Sequence, residues 1–131
     1  MNNSTPPPSR PGKTAPDDRP AINAEWLAHM LEAKPDFLKR LFEVFMNEEP
    51  VRLAALVAAV VMSDVEQVRY LAHSLKGAAA TMGMERLRDA CRELEFAAKD
   101  GDSAAISARL VPVTQEMESV FALMQRVMTP V

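Results

Sequence analysis

The residues with the clearest chemical potential are His73, Lys76 and Gly77, whose i, i+3, i+4 spacing would place them on one face of a helix. Take Leu75 as the centre of a buried face at 100° per residue. Val68, Leu71, Ala72, Ala78, Ala79 and Met82 then fall within about 60° of it, and His73 lies about 160° away. His73 is therefore predicted to face solvent, with Arg69, Tyr70, Lys76, Gly77 and Ala80 as its neighbours. An exposed imidazole, with an ordinary pKa of about 6.5, is largely neutral at pH 7 and so nucleophilic. An ammonium beside it would steady phosphoryl oxygens. Glycine in a helix interior costs about 1 kcal/mol relative to alanine. Gly77, followed by three alanines, either clears space for another protein's surface or lets helices pack closely. On spacing alone, an exposed helical histidine is more often merely solvated than functional.

The elements that would hold this face are helical throughout, with no convincing period-2 strand. A short first helix carries Ile22, Trp26, Leu27 and Met30 on one side. A second opens near Pro35, a good first-turn residue, and its apolar positions are Phe37, Leu38, Leu41, Phe42 and Phe45, then Leu53, Leu56, Val57 and Val60. Pro50 predicts either a kink in it or two abutting segments. Ser63-Asp64-Val65-Glu66 reads as a capping box starting a third helix, which runs to about Met82 and stops at Gly83. A fourth, with Leu87, Ala90, Cys91, Leu94 and Ala98 inward, closes at Gly101. A fifth starts at Asp102 or Ser103 and crosses Pro112 without a slip in register, as one bent helix. The expected fold is all-α: an antiparallel up-down four-helix bundle with a short extra N-terminal helix capping one end.

Composition agrees and narrows the functional classes. At 131 residues there is room for one domain. Six prolines among polar residues make 1–20 an expected disordered arm, leaving 21–131 for the bundle. The net charge of −3 argues against nucleic acid as a partner. No uncharged apolar run approaches the ~20 residues a membrane span needs, and the N-terminus lacks an apolar signal core, so the expected location is the cytoplasm. The single Cys91 excludes an internal disulfide and a Cys-rich zinc site. Neither G-x-x-x-x-G-K-[ST] nor G-x-G-x-x-G occurs, so no nucleotide site, cofactor or metal is expected.

Other residues have plainer expectations. His29 has no second ligand at metal spacing and reads as a surface or interhelical residue. Cys91 reads as an inert core thiol. Phe96 projects to the polar side of the fourth helix, and cover by the first helix or the arm is preferred over a docking role. Met82 and Met84 serve as core filling or as partner contacts. Arg86, Arg88 and Arg92 are expected to face solvent, with weak ion-pair options to Asp89, Glu93 or Glu95.

Ala72-His73-Ser74-Leu75-Lys76-Gly77, with Gly83 beyond it, resembles the signature of histidine-containing phosphotransfer (HPt) domains. Cys91-Arg92-Glu93-Leu94-Glu95 resembles that family's Cys-x-x-Leu-Glu segment, and the Phe-rich second helix, Glu48-Glu49-Pro50 and Asp64 also fit. The likeness spans roughly residues 25–125, judged by eye. It implies a phosphorelay module: a monomeric covalent phosphocarrier, without its own ATP site or independent turnover, partnered by response-regulator receiver domains, including those of hybrid histidine kinases. On that resemblance His73 is the phosphoacceptor, Lys76 the phosphoryl-supporting cation and Gly77 the clearance residue. From its place on the same face Ala80 joins Gly77 in clearance and docking, and Arg69 is either a further phosphoryl-supporting charge or a solvated one. Two rivals are an adaptor bundle that sequesters a receiver without phosphorylation, and a histidine-kinase dimerisation segment. The second wants an acidic residue after the histidine, where Ser74 stands.

Overall fold

Five helices follow from the periodicity and its punctuation: α1 (Ala24–Ala33), α2 (Pro35–Val61), α3 (Val65–Thr81), α4 (Glu85–Asp100) and α5 (Ser103–Met128). The computed structural model describes residues 17–129, so the arm expected over 1–20 lies outside the described residues as far as residue 16. Among the described residues there is no strand. α2 packs on α3, α3 on α4, α4 on α5, and α5 closes back onto α2, which is the up-down bundle; α1 lies against α2. Phe42, Leu56, Leu75, Leu87, Leu94, Val113, Met117 and Met124 are fully buried between the four long helices. Phe45 and Phe121 meet edge to face, centroids 5.8 Å apart, where α2 and α5 close the ring.

The turns set the order of the helices. Gly83, at φ +71°, ends α3, and the Met84 N–H donates back to the Ala79 carbonyl at 2.9 Å. α4 therefore folds straight back along α3. The Gly83 carbonyl also accepts from Asn23 N–H at 2.7 Å, and the Asn23 side chain caps α1 at Trp26 N–H and donates to Glu85. So α1 is pinned across the α3–α4 turn at that end of the bundle. Met82 and Met84 are both buried there, which makes them core filling.

The α2–α3 turn differs from the expected capping box. Ser63 adopts φ +57°, the left-handed position that ends α2, where glycine is favoured. Ser63 N–H donates to Val60 and Asp64 N–H to Ala59, and the α3 cap falls to Asp64, whose carboxylate accepts from Gln67 N–H at 3.2 Å. The three residues between the helices, Met62 to Asp64, leave Ser63 serving the preceding one. At Pro50, α2 continues as one helix, and at Pro112 so does α5. Next to Pro50, Glu49 is only 4% exposed. Burial pushes its carboxyl above the ordinary range against the opposing pull of Arg52 at 3.5 Å, and Glu48 adds to the rise. The folded chain thus holds this proton more tightly than the unfolded one. The stability it contributes is present in acid and lost as pH climbs from about 4.5 through the folded value. Glu49→Gln is expected to raise Tm at pH 7 by on the order of 3 °C and to leave it nearly unchanged at pH 4, as read by calorimetry.

Residues 17–20, assigned above to the arm, touch the bundle. Arg19 pairs with Asp17 at 2.7 Å and Asp89 at 3.0 Å, and its carbonyl accepts from Arg86 at 2.7 Å. Arg86 is consequently not a solvent-facing charge: it also binds Glu116 at 2.9 Å, joining α4 to α5. Among the described residues no helix is long and apolar enough to cross a membrane.

Candidate functional site

The buried face of α3 is the one that the wheel predicts, with Val68, Leu71, Ala72, Leu75 and Ala79 inside. His73 points away from it, its side chain 66% exposed. Because α3 and α4 run antiparallel about the Gly83 turn, His73 comes to lie beside Glu95, 22 residues on. His73 Nδ1 is 3.0 Å from Glu95 Oε2, and Lys76 Nζ is 2.7 Å from Glu95 Oε1. One carboxylate thus bridges ring and ammonium. The lysine contact is a close ion pair rather than a directed hydrogen bond.

Glu95 is the site residue that spacing alone assigned elsewhere, as an ion-pair option for arginines on its own helix. Its side chain is 8% exposed, and it lies in the inward stripe of α4 with Cys91, Leu94 and Ala98. Burial works against its ionisation, but Lys76 and His73 outweigh that and hold the carboxyl below the ordinary range. At neutral pH it is a carboxylate, which accepts hydrogen bonds and cannot donate them. The proton between the two residues therefore sits on His73 Nδ1, and Nε2 has no hydrogen-bond partner among the described residues. The arrangement fixes the tautomer of an exposed imidazole from behind.

Gly77 and Ala80 are exposed on the same face. A Cβ built on Gly77 would meet nothing within 4 Å, so the glycine is not there for close helix packing inside the chain. Gly77→Ala should therefore stabilise the fold by up to about 1 kcal/mol in urea denaturation, the intrinsic helix gain of alanine. Arg69 is exposed one turn before His73 and pairs with Glu66 at 3.3 Å. Beside it, a cleft of about 410 Å³ opens between α3 and α4, lined by Glu66, Arg69, Tyr70, His73, Glu95 and Lys99.

Among the described residues α1 does not cover Phe96, which is 49% exposed, with the Lys99 ammonium 5.7 Å from its ring centroid. Cys91 is buried, and burial pushes its thiol up to about 12, so it is a core thiol at any physiological pH. His29 is exposed on α1, away from these groups. Arg88 pairs with Asp89 at 2.9 Å. No group of three or more His, Cys, Asp or Glu among the described residues is placed to hold a metal ion.

No curated protein sequence matches the chain. Among solved structures, the crystal structure of histidine-containing phosphotransfer protein B (HptB) from Pseudomonas aeruginosa PAO1 matches with a TM-score of 0.75 and 30% sequence identity, over 82% of this chain and 93% of that one. The family profile of the Hpt domain matches residues 40–122, which include α3, α4 and their shared carboxylate. By that match, extending over more than half of its length, the chain belongs to the Hpt domain family, the histidine phosphotransfer domains of phosphorelays.

Proposed function

We propose that this chain carries a phosphoryl group on His73 to or from the aspartate of a response-regulator receiver domain, as a phosphocarrier rather than an enzyme with turnover of its own. The observation that carries the reading is the Glu95 contact at Nδ1, which leaves Nε2 nucleophilic on an exposed ring. The Nε2 lone pair attacks the phosphorus of a receiver acyl phosphate. The P–N bond forms as the P–O bond to the acyl group breaks, and the aspartate leaves as a free carboxylate. Since Nδ1 keeps its proton, the ring gains a positive charge, which the Glu95 carboxylate stabilises at 3.0 Å. The same charge keeps the ring a good leaving group for the return step.

Lys76 has donors to spare beyond its pair with Glu95 and can turn one toward a phosphoryl oxygen. Arg69 adds positive potential at the rim, favouring an acidic partner. Gly77 and Ala80 leave the approach open, consistent with the empty space at the Gly77 Cβ position. Little more is required on this side, because phosphoryl transfer is mostly positioning and charge stabilisation.

The test is a time course with an isolated receiver domain charged by phosphoramidate. Phosphate should leave the receiver and appear on this chain as an acid-labile, base-stable adduct, while ATP alone gives no label. A receiver that binds the chain and keeps its phosphate would instead support the sequestering adaptor.

A further inference from the structure

The cations around His73 are not equivalent. Lys76 is held by Glu95 at 2.7 Å and Arg69 by Glu66 at 3.3 Å. Lys99 lines the same cleft from α4, one turn beyond Glu95, and no carboxylate among the described residues lies within ion-pair distance of it. Its ammonium rests over Phe96 instead, 5.7 Å from the centroid. At a half-exposed ring such a contact is weak. A phosphoryl group brings close to two negative charges and three strong acceptor oxygens into this space.

We propose that Lys99 is a second phosphoryl-binding cation, which leaves the Phe96 ring for the phosphoryl oxygens when His73 is phosphorylated. The inference rests on His73 being the phosphoacceptor, and adds to it a residue on the opposite helix and a change at the surface. In the unphosphorylated chain the Lys99 ammonium lies over one face of Phe96. In the phosphorylated chain that face is bare, so an aromatic ring beside the cleft reports the state of His73. The imidazole itself need not move, since Glu95, itself paired with Lys76, holds it from behind.

The experiment uses the full chain and a receiver domain charged by phosphoramidate, with the phosphate partition between the two read at equilibrium. Lys99→Gln is expected to shift the partition away from His73 by about threefold or more, the scale of one charge a few ångströms from another near water. Lys99→Arg should retain the wild-type partition. The Phe96 ring resonances should move on phosphorylation of the wild type and stay put in Lys99→Gln, a change that a purely structural role for Lys99 would not produce. A labelled wild type with an unmoved partition in Lys99→Gln, or with unmoved Phe96 resonances, overturns the Lys99 role alone. If the wild type takes no phosphate at all, the phosphoacceptor reading fails and this one falls with it.

Discussion

His73→Gln is expected to abolish acid-labile labelling of the chain completely while leaving its helical circular dichroism and Tm unchanged. The loss is total because the other histidine, His29 on α1, has no carboxylate among the described residues to fix its tautomer. The fold survives because the side chain is 66% exposed and lies outside the hydrophobic core; surface changes of this kind stay within about 0.5 kcal/mol. Glutamine is also the replacement that can still donate to Glu95 Oε2, so the buried carboxylate keeps a partner. Labelling that persists in this variant would move the phosphoacceptor elsewhere.

The second large effect belongs to Glu95→Gln. The substitution keeps shape and removes charge, so the imidazole loses both the acceptor that holds its proton on Nδ1 and the anion that offsets the positive ring. Lys76 loses its ion pair in the same step. Transfer is expected to slow on the order of 10²-fold or more, the scale on which positioned charge and acid–base partners act. Two independent readouts accompany the rate. The His73 ring should pass from the Nδ1–H tautomer toward a mixture, visible in ¹⁵N shifts. The wild type should also lose stability in acid that the variant never has. A depressed Glu95 carboxyl contributes above its unfolded value near 4.5, and that contribution fades as pH falls through the folded one. An unchanged tautomer together with an unchanged rate would remove Glu95 from the mechanism.

Much of this was legible in the sequence because it depends on one helix at a time. The solvent-facing position of His73 follows from the 3.6-residue period of Val68, Leu71, Leu75 and Ala79, and the α3 stop from a glycine placed where φ must be positive. What escaped depends on two helices at once. Glu95 carries the inward register of Cys91 and Ala98, a position at which a carboxylate demands a partner, yet only the antiparallel turn at Gly83 shows that the partner is His73. Arg86 went astray for the same reason, its partners being Glu116 and the Arg19 carbonyl. Phe96 lacks cover from α1 because that helix is drawn to the α3–α4 turn by Asn23 and Trp26. The Ser63 turn shows a different limit: a capping-box pattern and a helix-ending serine look alike until backbone angles are known.

The bridge between α3 and α4 makes competence a property of tertiary structure. An excised α3 peptide would keep the histidine, the lysine and the glycine, but its imidazole would sample both tautomers and lack an anion behind it. Such a fragment should behave as an ordinary histidine toward phosphoramidates. Reactivity of the intact chain should then vanish along the same denaturant curve as its tertiary signals, which turns the chemistry itself into a gauge of whether those two helices are docked.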